Sequence, residues 1–196
     1  MLWEVPVLVE APFKGEPRRL LLQASRNGYK EGRPMPNPDK EPHRDGRLVA
    51  PNEGGGTNYC SPSFDPASGL LIVSAVDAYG IYFFKQEHGA YGWAGADYGV
   101  WASASVRAID YQTGEIRWIH GIGEGAATAG VLTTDSGLTF TGDVNGNALA
   151  LRTSDGATLW HATLGRIGNS PITYELDGRQ YVLLAAGSAL YAWTLP

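Results

Sequence analysis

The sequence is short of cysteine, of charge and of long apolar runs. Cys60 is the only cysteine in 196 residues, which excludes an internal disulfide framework and a cysteine-built zinc site. Charged residues make up 18% of the chain, below the roughly one quarter of an average domain. Long disordered tracts and charged coiled coils are therefore not expected. A net charge of −5 leaves no basic footprint for nucleic acid or an anionic membrane surface. No apolar run approaches the roughly 20 residues that span a bilayer as a helix. Met1 leads straight into Leu2-Trp3-Glu4-Val5-Pro6, without a basic segment or a long apolar one, so no secretory signal is expected here. That leaves a cytosolic protein, or a mature or partial chain that begins elsewhere.

Glycine and aromatic residues are plentiful instead: 26 Gly, 10 Tyr and 6 Trp, with 12 Pro. This composition favours short strands joined by tight turns. An internal repeat organises them. Ala108, Ala150 and Ala192 stand 42 residues apart, in Val106–Asp110, Ala148–Arg152 and Leu190–Thr194. Trp118 and Trp160 share the spacing, and so do Phe140 and Val182. A period of about 40–45 residues is the length of a four-stranded propeller blade. Within one period the strands read as 129–134, 138–141, 148–151 and 157–162, separated by Asp135-Ser136-Gly137, Asp143-Val144-Asn145-Gly146 and Ser154-Asp155-Gly156. The next period reads 172–175, the turn Asp177-Gly178, then 180–185 and 189–195. Asn-Gly and Asp-Gly tolerate the positive φ that hairpin turns require. A two-sheet sandwich with chance spacing is the weaker reading.

Ala108 to Trp118 has the form A-x-D-x-x-T-G-x-x-x-W. It is similar to the tryptophan-docking motif of quinoprotein alcohol dehydrogenases, eight-bladed propellers that bind pyrroloquinoline quinone (PQQ). A second copy, Ala150 to Trp160, keeps Ala, Gly156 and Trp but has Arg152 for the Asp and Asp155 for the Thr. Gly54-Gly55-Gly56-Thr57-Asn58-Tyr59-Cys60-Ser61-Pro62-Ser63-Phe64 resembles another stretch of that family. So do Leu20 to Tyr29, with its Arg26-Asn27-Gly28 turn, and Pro171 to Val182 in the manner of the last blade. They follow the order of the family's C-terminal half. The expected fold is all-β, a partial propeller of about four four-stranded antiparallel blades. Residues 1–31 form an incomplete blade and 32–57 a Pro/Gly-rich loop. Residues 58–120 form a blade with an insertion at 77–104, 121–162 a blade, and 163–196 the last blade.

A site for PQQ must meet three carboxylates and an ortho-quinone. It needs cations or amides, an aromatic floor, a divalent metal and a base. The resemblance implies two cofactor contacts, Arg26 at the quinone region and the amide of Asn58. It also implies calcium or a lanthanide in the complete protein. No catalytic residue and no metal ligand of the family has a counterpart in this sequence. His43, His88, His120 and His161 lack metal-ligand spacing. Cys60 is expected as a small buried filler. Tyr82, Phe83, Phe84 and Trp93 are expected to pack, and Glu31, Asp39, Glu41 and Asp45 to sit in a solvated loop.

The function implied is the C-terminal portion of a PQQ-dependent alcohol dehydrogenase. The whole protein would pass hydride from an alcohol to the quinone and electrons onward to a cytochrome, in the periplasm. Lacking the base and metal half, this chain is expected to be inactive alone. Its partner would be the missing N-terminal half or a second chain that closes the ring. The alternative is a non-catalytic propeller scaffold or protein-interaction module, like the lipoproteins of outer-membrane assembly. A scaffold has no need of the Gly-Thr-Asn58 and Pro-Ser-Phe stretches.

Overall fold

The computed structural model describes residues 5–25, 39, 41, 43–83 and 97–194. Every named element in it is a strand, in four antiparallel sheets. β1 (Val7–Phe13) and β2 (Glu16–Leu22) form a hairpin. The second sheet contains β3 (Arg47–Val49), β4 (Ser63–Asp65), β5 (Leu70–Tyr82), β6 (Asp97–Asp110) and β7 (Ile116–Glu124). The third runs β8 (Leu132–Thr133), β9 (Leu138–Gly142), β10 (Asn147–Arg152), β11 (Thr158–Thr163), each strand beside the next in sequence. The fourth has β12 (Ile172–Leu176), β13 (Arg179–Ala186) and β14 (Ala189–Thr194). Asp177 and Gly178 close the β12–β13 hairpin with φ of 52° and 72°, as Asp-Gly turns require.

The sheets stack in chain order. Leu71 and Val73 of the second meet Val7 and Leu22 of the first. Its opposite face, with Ile72, Val106 and Ala108, packs on Leu149 and Leu151 of the third. The other face of the third, Phe140 and Ala150, meets Val182 of the fourth. This serial face-to-face packing of antiparallel meanders makes the chain a partial β-propeller.

Four expectations change. The stretch 129–134 narrows to β8, because 129–131 is tied to the preceding sheet. Val131 N–H donates to Ser61 O (2.9 Å), and Ser74 Oγ donates to Ala129 O (2.6 Å). The stretch 77–104 is strand at both ends, because β5 and β6 stay paired from Asp77↔Ser103 to Tyr82↔Asp97. The loop 32–57 contains β3, whose partner is the far end of β5. Finally, Phe140 and Val182 are not equivalent. Ala150 pairs with Phe140, but Ala192 pairs with Leu183. The turn between β13 and β14, Gly187-Ser188, is shorter than that between β9 and β10, which shifts the phase of β13 by one residue and turns Val182 to the opposite face. The alanine and tryptophan registers do agree, with Ala108↔Trp118 and Ala150↔Trp160.

Candidate functional site

The glycine-rich segment 52–60 runs along β5 just beyond the short strand β4. Asn52 N–H donates to Ala78 O (3.2 Å), and Val76 N–H donates to Gly56 O (2.7 Å). The Asn52 side chain accepts the Gly54 N–H at 2.9 Å and fixes the bend. Thr57 Oγ1 donates to Ala24 O (2.8 Å), tying the loop to the end of the first hairpin. Between this loop and the floor of Ser74, Val76, Ala78 and Ala102 lies a cavity of about 190 Å³, walled on its far side by Ala126 and Ala127. Small side chains leave the floor open to whatever lies above it.

Asn58 lines this cavity. Its Nδ2 donates to Gly54 O at 3.0 Å, so the amide also closes its own loop. Cys60 lines it too, its thiol donating to Ala127 O at 3.5 Å. Burial pushes that thiol up to about 11, against a smaller lowering by a backbone hydrogen bond. It is a half-buried, neutral filler. Glu53 is the acidic residue of the lining, which among the described residues includes no Lys or Arg. Arg26 lies outside the described residues, as do His88, Phe84, Trp93 and Glu31. Phe83 and Ile81 pack over Gly46, where a Cβ would come within 2.6–2.9 Å of them.

The described residues by themselves do not fit a tricarboxylate quinone. They offer the amides of Asn52 and Asn58 and a glycine-rich backbone above a floor of small side chains, and no Lys or Arg. Among them no group of three His, Cys, Asp or Glu is placed to hold a metal. His43 bonds within its own loop, accepting the Asp45 N–H at 3.2 Å.

Trp118 ties the second sheet, which lines this cavity, to the third. The Trp118 ring lies on Gly156 of the third sheet, where a Cβ would sit 2.6 Å from it. Its Nε1 donates to Thr153 O at 3.0 Å. Trp160 finds no such seat. It meets Trp193 edge-on at 5.5 Å, beside an apolar cavity of about 320 Å³ between the third and fourth sheets. That larger cavity has no charged residue in its lining.

A family model described as outer membrane protein assembly factor BamB matches residues 102–194. A quinoprotein ethanol dehydrogenase of Pseudomonas putida is 31% identical over 188 residues, covering 87% of this chain and 30% of that protein. The quinohemoprotein alcohol dehydrogenase ADH IIB of the same species is 27% identical, covering 92% of this chain and 32% of its own length. The crystal structure of quinohemoprotein alcohol dehydrogenase from Comamonas testosteroni superposes with a TM-score of 0.78 at 23% identity, over 94% of this chain and 34% of that one. That likeness establishes the fold. The chain thus spans about a third of the length of these proteins.

Proposed function

This chain is a relative of the quinoprotein alcohol dehydrogenases that matches their C-terminal part, and we propose that it supplies one wall of the PQQ site of such an enzyme. The observation that carries this reading is the cavity under residues 54–58. There Asn58 and a glycine-rich backbone face a floor of Ser, Val and Ala. In the complete protein, bound PQQ would take hydride from an alcohol. Arg26 and Asn58 would contact the cofactor, and a calcium or lanthanide ion would be held by residues outside this chain. Electrons would pass to a cytochrome, in the periplasm. The remaining blades would come from an N-terminal half or from a second chain.

Thermal unfolding with and without PQQ tests this. A ligand that binds only the native state raises Tm. PQQ at high micromolar concentration is expected to raise Tm by a few degrees, and Asn58→Ala is expected to cut that rise by half or more. A non-catalytic scaffold predicts no rise at any PQQ concentration, and that result would overturn the quinone reading.

A further inference from the structure

The far wall of the candidate cavity belongs to no strand. Residues 125–131 lead from β7 to β8, past the face of β5 that packs toward the third sheet. Irregular backbone in a buried place must find partners for its polar groups. Here side chains supply them. Cys60 Sγ donates to Ala127 O (3.5 Å), Ser74 Oγ to Ala129 O (2.6 Å) and Thr141 Oγ1 to Gly130 O (3.0 Å). Val131 N–H adds its bond to Ser61 O. Gly130 is seated between Ser61 and Ser170, where a Cβ would come within 2.0 Å of Ser170 Oγ and 2.8 Å of Ser61 N.

These side-chain donors are not equivalent. A thiol donates weakly, and the Cys60 bond is long. Thr141 belongs to β9 and is not in the lining of the cavity. Ser74 lines the floor, and its short bond joins the floor directly to the connection that bears the wall. It is also the polar residue in the buried run Leu70 to Ala75 of β5, where packing alone favours an apolar side chain. Ser74 is 3% exposed and Ala129 1%, so removing the hydroxyl leaves the Ala129 carbonyl buried without its donor.

We propose that Ser74 is a positioning residue of the candidate site: its hydroxyl holds Ala129 and thereby sets the separation between the floor and the Ala126–Ala127 wall. The identity of the occupant rests on the quinone reading, but the clamp does not.

The Cys60 thiol, bonded to Ala127 O, reports on the wall without any ligand. With an aromatic disulfide reagent at pH 8, Ser74→Ala is expected to be labelled at least about fivefold faster than the wild type, through local opening of the wall. Ser74→Thr keeps the hydroxyl and is expected to stay within about twofold of the wild type. Thr153→Val removes an equally buried hydroxyl, bonded to Thr139 within the third sheet, and is expected to do the same. No acceleration in Ser74→Ala overturns the proposal, and so does equal acceleration in Thr153→Val, which means that labelling follows global unfolding. A wild-type measurement holds even if Ser74→Ala fails to fold. By hydrogen exchange, the Val131 amide is expected to be protected within about tenfold of the Leu149 amide, and rapid exchange there overturns the clamp. With PQQ, Ser74→Ala is expected to lose at least about half of the rise in Tm while Thr153→Val keeps it. A full rise in Ser74→Ala overturns the positioning role. No rise in the wild type overturns the quinone reading instead, and Cys60 and Val131 then decide the clamp by themselves.

Discussion

At the scale of single residues, the two motif copies reach one turn geometry by different chemistry. In the first, Asp110 accepts the N–H groups of Gln112 and Thr113, and Thr113 Oγ1 accepts the Glu115 N–H. In the second, Asp155 takes the place of Thr113 and accepts the Ala157 N–H at 3.0 Å. Arg152, where the first copy has Asp110, donates to Asp155 at 2.8 Å. The acid has moved, but the turn persists. That backbone bond, and then Arg152, hold the Asp155 carboxyl below its ordinary range. Gly156 must remain bare, both for Trp118 and for its own φ of 72°. Gly156→Val is expected to cost about 2–4 kcal/mol in urea unfolding, from overpacking plus backbone strain. Gly165→Ala, with φ of 100° but open space around it, should cost only about 1 kcal/mol. Cys60 offers a pH-dependent check. Its thiol is raised from 9.0 to about 11, so the native state favours the neutral form. The stability this contributes is complete below pH 9 and is lost as pH rises from 9 to 11. Aromatic disulfide reagents at pH 8 are expected to label native Cys60 at least about tenfold more slowly than the urea-unfolded chain.

At the scale of elements, strands with local partners were legible and those with distant partners were not. β9 to β14 follow from the turn residues and the apolar runs between them, because each pairs with its sequence neighbour. β3 was invisible. Arg47-Leu48-Val49 has no strand signature of its own and exists because β5 is long enough to pair with it. The first residues of the stretch 129–134 carry a strand pattern, yet their hydrogen bonds go to Ser61 and Ser74. A propensity argument cannot see those non-local partners. The same distinction predicts stability. The β1–β2 hairpin has two strands and one packed face, held by Val7, Leu22 and the bond from Thr57 to Ala24. β10 is paired on both edges and packed on both faces. By hydrogen exchange, amides in Val9 and Leu20 are expected to exchange at least about 100-fold faster than those in Leu149 and Leu151. Equal protection would show that the hairpin is as firmly held as the centre.

At the scale of the molecule, the sheets stack in chain order, and the second of them lines the candidate cavity with the loop 52–60. The candidate site was half legible. Asn58 and its glycine-rich loop stood out through the order of motifs in the sequence. Ala102 and Ala127 join them only because β6 and the 125–131 connection pass the same loop. Among the described residues this lining holds two side-chain amides, Asn52 and Asn58, and no Lys or Arg. On the proposal that the base and the metal come from outside this chain, it is not expected to turn over. With PQQ, calcium, ethanol and an artificial electron acceptor, its rate should stay at the protein-free background. Sustained turnover would show that the 196 residues already hold a base and a metal. The sequence by itself determined the strands from β9 to β14, the 42-residue spacing of their alanines and tryptophans, and the small and aromatic residues at those positions. Those depend on side-chain size and on turns closed within a few residues. Only the tertiary structure decided the phase of β13, the partners of β3 and of 129–131, and the walls of the cavity. Each of these depends on a neighbour distant in sequence, and a difference of one residue in a turn was enough to reverse the side on which Val182 packs.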